Sequence, residues 1–419
     1  MYKCRSSLIP LSRQVNVNGV NIQFPPSSGL PSAPSSDVVI VGAGIVGLAH
    51  AAHAVANGLT VTILERDHRA VGASIRNFGH CCITAQSGDL YEMAQTSRKY
   101  WLEFAGLADF WAAESGAMVL ARTESEMAVL RELSGEREQG QVELLTPTEV
   151  RARLGSGEEM SVPDGGTSSV SWPALVGGAF LRDDLRVDPR TTVAKLAQWL
   201  SEQPGVNIHW NTAALGFGSE AGRSTVRTTR GNFHGERIFV CVGHDVDYLF
   251  PDLAEEHGIE RCALQMSLAA QPPGLHIKPA ILTATSMLRY QAFTDTAAAN
   301  ALRAEMEQSR PELLGIGANV MFTQRPDGTV ILGDSHHYHH TAPPFLKEGV
   351  TTTVNMEIES AIGAPLDIVE RWQGIYASSS ISPLLVRDVQ RGVTVVSVTS
   401  GVGMTLSFGL AHRNIARLY

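Results

Sequence analysis

The chain has 419 residues, long enough for two domains that share an interface, because single cores stop growing well short of that length. With 44% hydrophobic and only 18% charged residues, much of it must be buried in α/β-type layers. The net charge of -9 is spread without a basic block, which argues against nucleic acid as a partner, and no apolar run reaches the roughly 18–20 residues that span a bilayer.

Residues 1–36 stand apart. They carry Lys3, Arg5 and Arg13, no acidic residue, and a Ser/Pro-rich run from Pro25 to Ser36. This composition fits a disordered leader or an organelle-targeting peptide, so the expected location is cytoplasmic, or mitochondrial if the leader is a targeting signal. Five cysteines (Cys4, Cys81, Cys82, Cys241, Cys262) form no CxxC or repeated spacing, so neither a disulfide framework nor a zinc site is indicated, and a reducing compartment fits.

From Asp37 to Gly47 the sequence reads as an apolar strand, a glycine turn and the start of a helix that closes near Gly58. Gly42 permits the turn, Gly44 lets the backbone approach a pyrophosphate, and Gly47 allows the helix to pack on the strand. Ala43, Ile45 and Val46 complete a segment whose free N–H groups and helix dipole favour an anion. A second strand, Thr60 to Leu64, ends in Glu65 and Arg66, with Glu65 placed to accept hydrogen bonds from ribose hydroxyls; an acidic residue there disfavours a 2′-phosphate. Strand, turn, helix, second strand and terminal Glu together predict dinucleotide binding. His50 and His53 lie on the helix and are expected to be exposed or packed rather than to bind a ligand.

Gly72-Ala-Ser-Ile-Arg-Asn-Phe-Gly79 follows, with small residues where backbone could line a cofactor. Cys81 and Cys82 are adjacent and read as buried packing residues. Segments 93–174 and 263–384 contain strand-like runs, among them Val320 to Thr323 and Val330 to Gly333 about the Pro326-Asp327-Gly328 turn, and predict a mixed antiparallel sheet with helical excursions. Arg237 to Gly243 reads as a short buried strand ending in glycine. Arg289, within Met287-Leu-Arg-Tyr290, is expected on a strand. The histidines from His336 to His340 match no metal-ligand spacing, and no metal is expected.

The Gly42/Gly44/Gly47 turn, Glu65, the Gly72–Gly79 stretch and Thr399 to Gly409 resemble the D-amino-acid oxidase, glycine oxidase and sarcosine oxidase superfamily from about Asp37 to the C-terminus. Within it, Arg76-Asn-Phe-Gly79, Val187-Asp-Pro-Arg190, Gly333-Asp-Ser-His336, Arg371 to Ser378 and Gly403 to Gly409 resemble the phosphonate-associated oxidoreductases that act on aminophosphonates. The resemblance implies an α/β fold of two-domain α+β type. A Rossmann-like FAD-binding domain (37–92, 175–262 and 385–419) would accompany a mixed antiparallel-sheet substrate domain (93–174 and 263–384).

It further implies FAD contacts from Gly72, Ala73, Ser74, Arg76, Asn77, Gly79, Val242, Gly243, Gly401, Gly403, Met404 and Thr405, besides the first glycine turn, Glu65 and Arg66. A helix N-terminus at Gly403 would stabilise negative charge developing on the flavin pyrimidine. The superfamily's amino-acid oxidases hold the substrate carboxylate with an arginine after a Gly-Leu pair. Here Gly374-Ile375 is followed by Tyr376. The flavin-tethering cysteine of sarcosine oxidase has no counterpart, which implies non-covalent FAD.

Candidates to hold a substrate anion are Arg289, Arg76, Arg182, His336 and Tyr376, with Trp372 as pocket wall or core filler. The implied reaction oxidises an amine C–N bond to an imine and then an aldehyde, with O2 or another acceptor reoxidising the flavin and no side-chain base required. An N-alkylated 2-aminoethylphosphonate is the leading substrate. N-methyl or D-amino acids are the alternative.

Overall fold

The computed structural model describes residues 35–154, 172–220 and 222–419, and the backbone of two paired leader strands, Gln14–Val17 and Val20–Gln23. The rest of the leader, with its reading as disordered or targeting, lies outside the described residues.

The first sheet grows from the glycine-turn strand. Ser36–Val41 is apolar because it is covered on both faces, and it pairs in parallel with Val61–Leu64 on one side and Gly231–Val240 on the other. Val206–His209 and Val393–Val398 extend the parallel core outward, and the antiparallel strands Arg223–Thr228, Ala214–Glu220 and Leu384–Gln390 complete eight strands. The parallel strands therefore end together, at Val41, Leu64, Val240 and Val398. Helix Ile45–Ala56 leaves this edge and stops where Gly58 adopts a left-handed φ of +77°.

Among the described residues the second sheet has nine strands, with Glu260–Ala269 flanked by Ile368–Ser378, Val330–Gly333 and His337–His339. Its pairs are antiparallel except Ala280–Leu282 beside Ala117–Ala121. The hairpin expected around Pro326 is present as Met321–Gln324 and Val330–Gly333, its turn closed by Asp327 accepting from the Thr329 N–H at 3.0 Å. The fold is thus a mixed α/β arrangement of a Rossmann-like layer and a second, largely antiparallel sheet.

Several elements lie across the boundaries expected from sequence, among them strand Glu260–Ala269, which spans the expected break between 262 and 263. Gly177–Leu181, assigned to the nucleotide-binding part, pairs with Ala117–Ala121 in the second sheet. Helix Gly88–Ala108, assigned mostly to the substrate part, packs on the C-terminal helix Gly403–Ala416. A Cβ at Gly409 would sit 2.2 Å from the Met93 carbonyl oxygen, and the Trp101 indole N–H donates to the Met404 carbonyl at 2.8 Å. Arg289 is also not on a strand: Ala284–Met287 is a helical turn, and Arg289 follows it.

His50 and His53 are packed, at 0% and 3% exposure. The His50 Nδ1–H donates to the Val46 carbonyl at 2.7 Å, which leaves Nε2 to accept from Asn414 at 3.0 Å. His53 lies edge-on to Tyr100, Phe104 and Phe408, and its Nε2 has no partner among the described residues. Burial lowers His50 to about 4 and His53 to about 3, so both stay neutral in the folded chain while unfolded histidine takes a proton near 6.5. Folding stability therefore declines as pH falls below 6.5 toward those values. We expect His53→Phe to remove its share, roughly 1–2 kcal/mol near pH 5. The variant's Tm should then fall less than the wild type's between neutral pH and about pH 5; parallel curves would contradict this.

Candidate active site

At the shared end of the parallel strands the chain closes around a cavity of about 420 Å3, within the range of small-molecule sites. Its outer half is built from backbone. Gly42 has φ +104°, and a Cβ there would lie 2.5 Å from the Cys241 carbonyl oxygen; a Cβ at Gly47 would lie 2.0 Å from the Gly42 carbonyl oxygen. Only glycine lets strand, turn and helix approach so closely. The Ser74 hydroxyl accepts the Ile45 N–H at 2.9 Å, which fixes the Gly72–Ser74 loop over the start of the helix.

Helix Ile45–Ala56 begins at Gly44 and helix Gly403–Ala416 at Val402. Neither has a side-chain cap or an acidic residue in its first turn, and both N-terminal ends line the cavity. Two uncapped helix starts give free N–H donors and positive dipole ends to an anionic guest. Glu65 lies on the cavity wall, its carboxylate accepting the Ala43 N–H at 2.8 Å and the Asp67 N–H at 3.0 Å. Carboxylate oxygens have further lone pairs, so this tethering leaves acceptor capacity for a ribose hydroxyl.

The inner half is lined by side chains of the second sheet and its connections. Arg289 is partly buried there, and its guanidinium donates to the Tyr376 hydroxyl at 2.7 Å. Among the described residues no carboxylate makes an ion pair with it. Burial opposes its charge, but Tyr376, Tyr338 and Asp334 hold its pKa above the ordinary value. Tyr376 is held in turn by Gly401, where a Cβ would come within 2.9 Å of the phenol ring. Burial drives the Tyr376 pKa well above the usual phenol value, so it is a neutral hydroxyl.

His336 donates from Nδ1 to the Gly317 carbonyl at 2.9 Å, so Nε2 carries the lone pair; burial first, then Arg289, keeps the ring neutral. Asp334 is 3% exposed, and burial pushes its carboxyl up to about 7 against the pull of Arg289.

Of the residues expected at the site, Gly42, Gly44, Ile45, Val46, Glu65, Arg66, Gly72, Ala73, Ser74, Arg76, Asn77, Val242, Gly243, Gly401, Gly403 and Met404 line the cavity, as do Arg289, His336 and Tyr376. Ala43, Gly47, Gly79 and Thr405 stand behind the wall. Gly79 packs on strand Leu185–Val187, where a Cβ would meet the Val187 carbonyl oxygen at 1.9 Å, and the Thr405 hydroxyl accepts the Cys82 N–H at 3.0 Å. Arg76 lines the cavity while donating to the Gln373 carbonyl at 3.1 Å.

Two substrate candidates fall elsewhere. Arg182 is half-exposed and paired with Asp183 at 2.7 Å and with Glu138. Trp372 stacks on the Arg190 guanidinium at 4.9 Å and points its indole N–H at the Arg76 carbonyl, 3.4 Å away. Neither lines the cavity: Arg182 sits in the turn after strand Gly177–Leu181, and Trp372 of strand Ile368–Ser378 packs against Arg190 instead.

Asp334, Asn319 and Tyr290 line the inner half without having been singled out as site residues. The sequence did carry a signal for Asp334: a carboxylate directly after the apolar run Val330–Gly333, where only a satisfied or functional acid is tolerated. Elsewhere, His80, Cys82 and Asp184 bring possible metal-ligand atoms within 4.8 Å of one another. Their hydrogen bonds explain the cluster: Asp184 accepts from His80 Nε2 at 2.8 Å and from the Thr84 N–H at 2.8 Å.

The fold and cavity define an oxidoreductase built on two large sheets, with a dinucleotide seat at the carboxyl ends of its parallel strands. The chain belongs to the DAO family, described as FAD dependent oxidoreductase, whose profile matches residues 37–417. It is 22% identical over 416 residues to a "Probable oxidoreductase OrdL" of Rhizobium meliloti (strain 1021), covering 90% of this chain and 82% of that one. Glycine oxidase from Geobacillus kaustophilus superposes with a TM-score of 0.71 at 19% identity, covering 92% of this chain and 94% of that one. L-proline dehydrogenase from P. horikoshii does so at 0.69 and 18%, covering 91% and 92%.

The residues present fit FAD: glycines leave a cradle that a Cβ would fill, two helix starts face it, and Glu65 stands at the far end. We expect Gly42→Ala to fold with unchanged far-UV circular dichroism but to bind FAD at least ~30-fold more weakly, since strain and a backbone clash together cost about 2 kcal/mol or more. Flavin absorbance retained after gel filtration checks this.

Proposed function

We propose that the protein oxidises the C–N bond of an amine that carries a compact anion, and that an N-alkylated 2-aminoethylphosphonate, yielding phosphonoacetaldehyde, is the leading substrate. The observation that carries this reading is Arg289: a partly buried guanidinium on the inner cavity wall, hydrogen-bonded to a neutral phenol and ion-paired with no described carboxylate. A buried cation without a counter-charge is costly, and an anionic ligand supplies the missing partner. The likeness of Arg76 to Gly79, Gly333 to His336 and Arg371 to Ser378 to aminophosphonate oxidoreductases supports the phosphonate over the carboxylate.

FAD supplies the two-electron acceptor that converts the amine to an imine, which water hydrolyses to an aldehyde and a smaller amine. The chain's residues then have separable tasks. The glycine turn and the two helix starts bind the cofactor without a covalent tether. Arg289 fixes the substrate anion, and Tyr376 holds Arg289 in position. His336 offers an uncharged acceptor at Nε2, and the walls exclude water from the reacting carbon. The same guanidinium would also bind a carboxylate, so N-methyl and D-amino acids are the rival substrates.

An anaerobic titration of the yellow protein with N-methyl-2-aminoethylphosphonate, sarcosine, glycine and D-alanine distinguishes them. Bleaching by the phosphonate is expected; bleaching by amino acids alone would replace it with amino-acid oxidation. Arg289→Met should raise KM for the true substrate by roughly 30-fold or more, the scale of a lost charge-assisted bidentate contact. Arg182→Ala, outside the cavity, should leave kcat/KM within about twofold; a large loss would show that the cavity has been misassigned.

A further inference from the structure

The inner end of the cavity holds a second ionisable group that the proposed reaction has not used. Asp334 directly follows strand Val330–Gly333, and its backbone N–H and carbonyl are each tied to Asn319 at 2.8 Å, so the base of its side chain is fixed on the cavity wall. Its carboxyl is held on one side by a side-chain hydrogen bond with Asn319. Its Oδ1 has no hydrogen-bond partner among the described residues. The nearest imidazole nitrogen, His336 Nδ1, is 3.8 Å away and already spends its proton on Gly317. Arg289 is close enough to influence Asp334 electrostatically yet makes no ion pair with it. A buried carboxyl oxygen without a donor is unfavourable by about 1–3 kcal/mol, and a donor brought by a ligand removes that penalty.

We propose that Asp334 receives the substrate's ammonium group and takes from it the proton that the nitrogen must lose before the carbon beside it can be oxidised. This rests on the reading of the cavity as an anionic-amine site, and it adds a catalytic residue to that site. Arg289 and Asp334 then form a receptor for a molecule whose anion and ammonium are joined by a short chain. In the step itself an ammonium N–H bond breaks and an O–H bond forms on Asp334, leaving a neutral amine with a free lone pair. That lone pair becomes the second bond of C=N as the α-carbon gives up its hydrogen and two electrons to FAD. The substrate is oxidised, the cofactor is reduced, and the proton rests on Asp334.

The groups that face Asp334 leave it as the one that titrates near neutrality. Arg289 stays cationic, and Cys262 and Tyr290 are raised by burial, Cys262 to about 11. Tyr376 is likewise raised and His336 lowered, so both are neutral. Asp334, with burial outweighing the pull of Arg289, changes charge at about 7. A base must be deprotonated to act, so kcat/KM rises with pH through that value.

The test uses FAD-loaded wild type, Asp334→Asn and Asp334→Glu. Calorimetry on dithionite-reduced holoenzyme, which cannot oxidise an amine, compares ethylphosphonate with 2-aminoethylphosphonate. Wild type should bind the amine at least ~10-fold more tightly, Asp334→Asn should bind both alike while keeping the wild-type affinity for ethylphosphonate, and Asp334→Glu should recover part of the difference. With N-methyl-2-aminoethylphosphonate as substrate, the rising limb of kcat/KM near pH 7 should vanish in Asp334→Asn.

An Asp334→Asn protein that keeps both the affinity difference and the limb overturns the proposal. So does a wild type that binds ethylphosphonate but gains nothing from the amine, and there the anion site survives. A wild type that binds neither compound overturns the anion site and this inference together.

Discussion

The carbonyl oxygen of Cys241 occupies the place where any side chain at position 42 would have to be, and most of the site follows from that contact. Strands Ser36–Val41 and Gly231–Val240 run in parallel, so their carboxyl ends arrive side by side and the turn after the first must pass over the end of the second. Glycine makes that passage possible, and the helix that leaves the turn then starts at the cavity. Ser74 clamps the next loop by accepting the helix's first N–H, from Ile45, which places Arg76 where it can hold the Gln373 carbonyl of strand Ile368–Ser378. One backbone approach therefore orients the cofactor seat and also ties it to the sheet that supplies the substrate side chains.

At the inner wall two elements meet. Strand Ile368–Ser378 carries Tyr376, and an arginine from a different segment, after helix Ala284–Met287, reaches in to meet its hydroxyl. A guanidinium entering from a turn is set by fewer backbone constraints than one on a central strand, so its orientation depends on the phenol that accepts from it. The phenol depends in turn on Gly401, whose missing side chain makes room for the ring beside the start of the C-terminal helix. Arg289 and the start of the C-terminal helix are thus linked through one aromatic ring.

The nucleotide half was legible in the sequence because its determinants are local. Gly42, Gly44, Gly47 and Glu65 fall at fixed spacing within one βαβ unit, and that spacing is readable even though the Cys241 carbonyl that Gly42 accommodates lies far away in sequence. The substrate half was legible only in part. Arg289 was identified as an anion candidate yet placed on a strand, because Met287 to Tyr290 has the composition of one; the Ser286 and Tyr290 backbone contacts that wind it into a turn are set by packing. Arg182 and Trp372 share residue types with site residues, but Arg182 falls in a turn where Asp183 and Glu138 pair with it, and which face of the strand bearing Trp372 points inward is decided by register with partners far away in sequence. Helix Gly88–Ala108 and strand Gly177–Leu181 crossed the expected boundaries for the same reason: the Gly409–Met93 approach and the pairing with Ala117–Ala121 are long-range.

If the proposed reading holds, the charges at the inner wall would let such a cavity stay folded between turnovers and still select its ligand. Arg289 and Asp334 feel each other but do not pair, so neither is neutralised by the protein. With the cavity free of substrate, Asp334 can hold a proton near pH 7 and Arg289 leans on a phenol, which avoids a bare buried carboxylate. The proposed ligand, with both charges, would satisfy both groups at once. An amine without the anion leaves the guanidinium without a counter-charge, and an anion without the amine leaves the Asp334 oxygen without a donor. Each omission costs about 1–3 kcal/mol, so discrimination against either half-ligand reaches roughly 10- to 100-fold from polar groups alone. Selectivity of this kind comes from what the protein leaves unpaired, and it requires no close steric fit around the substrate's carbon chain.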